Sequence, residues 1–279
     1  MNAIYRTEEE ARSARDRYRR ALEDWPVPSA HLRVPTRAGE TFVLAGGPEE
    51  APPLVLLHGS GGNAGHWRED VASWSRHHRV FAVDLVGEPG FSAPSRPDLS
   101  TEAVALWLDD VLAGLGLDRV ALVGMSLGGW TALDYAIRRP GRVTRMVLGC
   151  PGGLGAQRRW RIAGAGLLMF FGHRGRVAAT RYLTGLDAPA DRATLEAVLT
   201  EFTGFRPRTE RLPVFSDGDL RTLTMPVQVI VGDRDRMFDS AATARRVREH
   251  LPHGRVRVLP GVGHAILHQT APVLAFLRG

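Results

Sequence analysis

Residues 119–133 read RVALVGMSLGGWTAL. A run of small and β-branched apolar residues meets a Gly-x-Ser-x-Gly pentapeptide, and a second apolar run begins at once. The first run reads as a buried strand and the second as a helix starting near Leu127. Glycine at 124 and 128 lets strand and helix approach across a tight turn. Such a turn strains residue 126 and exposes its side chain. The first amides of the new helix lack acceptors and carry the positive end of its dipole. A serine hydroxyl held beside preset donors is what acyl-transfer chemistry needs.

Outward from this junction, strands and helices alternate. TFVLAG (41–46), PLVLLHG (53–59), RVFAVDL (79–85) and RVTRMVLG (142–149) read as strands, with a helix over 101–117. PVQVIVG (226–232) and RVRVL (255–259) resume the pattern around a helix near 241–251, and a short helix ends the chain. The alternation predicts an α/β fold, a mostly parallel, doubly wound sheet with helices on both faces. The pattern breaks over 151–224, too long for a loop and helical in flavour, which predicts an inserted helical cap. The core then comprises 1–150 and 225–279. An N-terminal helix over 7–25 opens on a Thr7/Glu10 capping box. It gathers Ala11, Ala14, Tyr18, Leu22 and Trp25 on one face, with Glu8–Arg12 and Asp16–Arg20 pairs along it.

A serine nucleophile needs a base, and the base an orienting acid. VGDRDRMFD, after the strand at 226–232, offers Asp233 and Asp235; LPGVGHAILH, after the strand at 255–259, offers His264. All lie at strand carboxyl ends, where open parallel sheets bind ligands. With HGSGG (58–62), GMSLGG (124–129), GDRD (232–235) and GVGH (261–264) in this order, the chain resembles the α/β-hydrolase superfamily over nearly its whole length. The stretch 80–97 and the N-terminal helix are similar to bacterial carboxylesterase-like members. The resemblance implies Ser126 as nucleophile, His264 as base and Asp235, rather than Asp233, as acid. It implies the amides of Ser60 and Leu127 as the oxyanion hole. The expected activity is cleavage of a small carboxylic ester through an acyl-enzyme, with no cofactor. A thioesterase or cyclase, a lactonase or a C–C bond hydrolase would share these residues. A non-catalytic binding protein on the same fold is the reading from another class.

The remaining candidates carry plainer readings. Trp67, Met125, Leu168, Met169 and Phe170 are candidate substrate contacts, and helix packing explains most such residues, Trp130 included. His58 is expected to brace the oxyanion loop, Asp84 and Asp233 to hold turns, and Cys150 to be a buried, inert thiol. His264 and His268 have the i, i+4 spacing of a metal pair but lack an acidic third ligand, so no metal is expected. His77 and His78 read as surface.

Composition narrows the classes. The chain has 279 residues, 44% of them hydrophobic, enough for one large core or a core with a lid. One cysteine excludes an internal disulfide and a thiolate zinc cage. The net charge is +6, carried entirely by arginine, so lysine Schiff bases and P-loop lysines are excluded. The arginines are scattered among acids rather than gathered in one block, although 151–224 is rich in them, and they form no recognised basic module, so no nucleic-acid partner is expected. No apolar run reaches the roughly 20 residues of a membrane span, and the first ten residues lack an apolar leader core. The expectation is a cytoplasmic protein without a membrane partner, of unassigned oligomeric state.

Overall fold

The computed structural model describes residues 4–279; the reading of the extreme N-terminus falls partly on residues 1–3, outside the described residues. Helix α1 (Glu8–Glu23) opens on the expected box: Glu10 N donates to Thr7 Oγ1 at 3.1 Å and Thr7 N to the Glu10 carboxylate at 3.0 Å. Ala11, Tyr18 and Leu22 are buried along one face. Asp16 takes Arg19 at 2.5 Å, one turn along at i+3, rather than Arg20.

The chain continues through β1 (Ser29–Val34), β2 (Thr41–Gly46), β3 (Pro53–Leu57), α2 (Arg68–Trp74), β4 (Arg79–Val83), α3 (Ala103–Gly114), β5 (Val120–Met125), α4 (Leu127–Arg138) and β6 (Val143–Gly149). Helices α5 (Arg159–Leu168), α6 (Gly172–Thr184), α7 (Arg192–Glu201) and α8 (Asp217–Arg221) then intervene. The sheet resumes with β7 (Val227–Gly232), α9 (Ser240–His250), β8 (Gly254–Leu259) and α10 (Thr270–Arg278). The eight strands lie in the order β1-β2-β4-β3-β5-β6-β7-β8. From β4 to β8 all neighbours are parallel, while β1–β2 and β2–β4 are antiparallel. The doubly wound α/β fold and the helical insertion between β6 and β7 are as the sequence predicts.

The central strands are buried on both faces, which is why they read as unbroken apolar runs. Helix α4 packs directly on them. A Cβ at Gly128 would stand 2.0 Å from the Leu57 carbonyl oxygen, and one at Gly124 2.5 Å from that of Gly128. His78 departs from the surface expectation: it is buried at the entry to β4, and burial lowers its pKa. Among the described residues no helix is long and apolar enough to cross a membrane.

Candidate active site

The strand-to-helix turn places Ser126 at φ 50°, ψ −106°, in the region L-residues avoid. Its own amide continues the sheet by donating to Gly149 O at 2.9 Å, and its carbonyl accepts from Trp130 N and Gly152 N. These bonds fix the backbone while the hydroxyl stands free of the ladder. His264, in the loop after β8, is hydrogen-bonded through Nε2 to Ser126 Oγ at 3.0 Å. Its Nδ1 meets Asp235 Oδ2 at 2.8 Å. The other oxygen of Asp235 accepts from Met237 N at 2.6 Å and Phe238 N at 3.0 Å. Burial works to raise the Asp235 pKa, but His264 and the two amides outweigh it and hold the carboxyl below its ordinary value. Asp235 is therefore an ionised, oriented partner for one ring nitrogen. Asp233 stands outside this array and accepts from Gly261 N at 2.7 Å, holding the turn after β8.

Cys150 changes the expected picture. It follows β6 at φ 41°, and its thiol donates to the His264 carbonyl at 2.9 Å. Its sulfur, an Asp235 oxygen and a His264 nitrogen all lie within 4.8 Å of one another. The expected Ser126–His264–Asp235 set thus has a fourth group beside it, which corrects the expectation of ester cleavage by those three residues alone. The acid–base pair is packed between two groups that bear nucleophilic atoms. Burial, with the Asp235 charge adding to it, pushes the Cys150 thiol well above its usual pKa, so it is held as a neutral S–H. Among the described residues this is also the group whose donor types could take a metal ion. The facing atoms of Asp235 and His264 already share a hydrogen bond, however, and His268 is not part of the group.

The loop after β3 lies against the serine: a Cβ at Gly59 would be 3.5 Å from Ser126 Cβ. Ser60 thus neighbours the N-terminus of α4, where Leu127 is the first helical residue. His58 braces this loop. Its Nδ1 donates to Gly59 O at 2.8 Å and its Nε2 accepts from Leu85 N at 2.9 Å. Burial first, then the nearby His66, push its pKa down to about 3, so the ring is neutral. Asp84 accepts from Ala64 N, Tyr18 Oη and Phe91 N, which ties α1 and two loops together.

Sequence reasoning missed Glu88. Its Oε2 accepts from Gly61 N at 2.7 Å and Ser60 Oγ at 3.1 Å, holding the loop after β3. Burial pushes its pKa up to about 7, against the pull of those bonds and of Arg96 and Arg208. The signal was an acid isolated in the apolar stretch LVGEPGF. The insertion reaches the same loop from the other side. The Phe202 ring would lie 2.3 Å from a Cβ at Gly61, and His66 Nε2 meets Glu201 at 3.0 Å.

The expected substrate contacts divide. Met125 ends β5 half-buried, its sulfur against Gly149. Trp67 is buried in the core on Trp74, with ring centroids 5.8 Å apart, and Trp130 stacks on Phe215. Leu168 is half-buried, and Met169 and Phe170 are exposed to solvent.

Residues 54–278 match the family model described as "Alpha/beta hydrolase family". The chain is similar to carboxylesterase YbfK of Bacillus subtilis, 30% identical over 277 residues covering 94% of this chain and 92% of the relative. The crystal structure of that protein superposes with a TM-score of 0.80, covering 97% and 96% of the two chains. Naproxen esterase of B. subtilis gives 0.77 at 27% identity, covering 96% and 95%. A shorter match, 43% over 120 residues, covers 38% of this chain and 42% of the 2-hydroxy-6-oxo-2,4-heptadienoate hydrolase of Pseudomonas putida.

Proposed function

The chain belongs to the α/β-hydrolase family, and from that premise we propose that it hydrolyses small ester-type substrates with His264 and Asp235 as its acid–base unit. Ser126, rather than Cys150, is the group that this unit activates. The observation that carries the reading is the 3.0 Å contact of His264 Nε2 with Ser126 Oγ, while Asp235 occupies the opposite nitrogen. As Ser126 Oγ attacks, its proton passes to Nε2, and the ionised Asp235 stabilises the imidazolium. The amides of Ser60 and Leu127 receive the developing oxyanion. The thiol of Cys150 faces the His264 carbonyl instead of the ring, so it has no comparable proton path. Residues 151–224 form the cap over a core of 1–150 and 225–279.

A second reading, C–C bond hydrolysis, is favoured by the 43% match to the heptadienoate hydrolase. Lactones and thioesters demand the same groups and differ only in the pocket. A fluorophosphonate probe with peptide mapping tests the assignment. Labelling at Ser126 that survives Cys150→Ala and vanishes in Ser126→Ala supports it. Labelling lost in Cys150→Ala and kept in Ser126→Ala overturns it. A panel of p-nitrophenyl esters, acyl thioesters, lactones and a vinylogous diketone then ranks the reaction classes.

A further inference from the structure

The apolar run on α5 and the turn after it is largely exposed to solvent. Trp160, Gly164 and Leu167 follow one another at i, i+4 and i+7 and so share a helix face. Trp160 is 71% exposed and Leu167 65%. Phe170 and Phe171, in the turn into α6, are 86% and 74% exposed. Large apolar side chains clustered this densely mark an interaction surface rather than scattered exposure.

The same stretch carries charge of one sign. Residues 151–186 hold Arg158, Arg159, Arg161, Arg174, Arg176 and Arg181, and no aspartate or glutamate. Among the described residues Arg159, Arg174 and Arg176 have no carboxylate partner. The Arg161 guanidinium lies 4.9 Å over the Trp160 ring, so an aromatic and a cation are presented together. Aromatic and aliphatic side chains flanked by unpaired arginines suit a boundary of acyl chains and phosphates.

We propose that this face of the cap docks on an anionic lipid surface. A second copy of the chain fits less well, because a two-fold contact would set the unpaired Arg159, Arg174 and Arg176 of one copy against those of the other. A nucleic acid would satisfy the guanidiniums but leave Leu167, Phe170 and Phe171 in water. A headgroup layer meets both needs, with the apolar side chains below the phosphates. The contact is peripheral, since no described helix is long and apolar enough to span. The inference stands apart from the hydrolytic reading, because docking needs no turnover.

The test is sedimentation of the full chain with phosphatidylcholine vesicles containing phosphatidylglycerol, and with pure phosphatidylcholine. Two variants accompany it, Leu167→Ser/Phe171→Ser and Arg159→Gln/Arg174→Gln. Melting temperature and activity on a water-soluble ester check that both are folded. The expected result is binding to the anionic vesicles alone, weakened by salt. Each guanidinium removed should lower the partition coefficient by roughly fivefold. The apolar double variant should lower it by at least about tenfold. Equal binding to both vesicle types, no binding, or binding untouched by either variant overturns the proposal. So does a concentration-dependent dimer that the apolar variant dissolves in the absence of vesicle binding.

Discussion

Replacing Glu88 by glutamine should make the protein respond differently to pH. The side chain is almost wholly buried, accepts from Gly61 N and Ser60 Oγ through one oxygen, and has no partner at the other. Its pKa is pushed from 4.5 up to about 7, chiefly by burial. The folded state therefore holds a proton that the unfolded chain has lost between those values. Stability from this group is fully present below pH 4.5 and is lost as pH rises to about 7. A shift of this size, at roughly 1.4 kcal/mol per pH unit, corresponds to about 3 kcal/mol across the window.

Glutamine keeps the shape and the accepting oxygen but cannot ionise. Its NH₂ group, left where the carboxylate oxygen had no partner, costs about 1–3 kcal/mol at every pH. The variant is then less stable at pH 4.5, and the deficit closes or reverses by pH 8. Thermal melts of both proteins at five pH values isolate the effect as a double difference. Asp84, whose pKa burial pushes up to about 6, cancels because both proteins contain it. The differential amounts to roughly 6–12 °C in melting temperature for a chain of this size. Stability curves that run parallel from pH 4.5 to 8 would refute the reasoning.

Two further outcomes follow from the site. Asp235→Asn should cut turnover by roughly three to four orders of magnitude, since an amide cannot stabilise the imidazolium, whereas Asp233→Asn should cost about 1 kcal/mol of stability at the Gly261 turn and little rate. Comparable losses of kcat in the two variants would reassign the acid. Gly128→Ala should lower the melting temperature and abolish probe labelling together, because its Cβ would lie 2.0 Å from the Leu57 carbonyl oxygen and drive α4 off the sheet. An alanine variant that melts and labels like the parent would show that the junction does not depend on close contact.

Local pattern made most of the scaffold readable. Strands β2 to β7 are largely apolar runs bounded by turn residues, β8 alternates arginine with valine, and the acid and base follow their strands within five residues. What escaped depends on neighbours far along the chain. Strand β1 alternates weakly, with His31 and Arg33 on its exposed positions, because it is an edge strand half in water. Glu88 looks like a loop acid until its partners, 27 and 28 residues earlier, are brought to it. His78 reads as polar surface because nothing local announces its burial. The helical flavour of 151–224 does not say whether its apolar side chains meet the core or the solvent, and here Phe170 and Phe171, in the turn after α5, are exposed.

The meeting of Ser126, Cys150, Asp235 and His264 illustrates what sheet order adds to sequence. These residues follow β5, β6, β7 and β8, four consecutive parallel strands. At about 4.8 Å per strand, the ends of β5 and β8 stand roughly 14 Å apart, too far for a side-chain hydrogen bond. The 3.0 Å contact between His264 and Ser126 therefore requires the loop after β8 to fold back across the ends of β7 and β6. It does so over Gly232, where a Cβ would stand 2.2 Å from the Val262 carbonyl oxygen. Halfway across, the Cys150 thiol holds the His264 carbonyl at 2.9 Å. A small side chain at the end of β6 is thus part of how the histidine reaches the serine. A larger one would lift the returning loop, and with it the base, away from the hydroxyl that it serves.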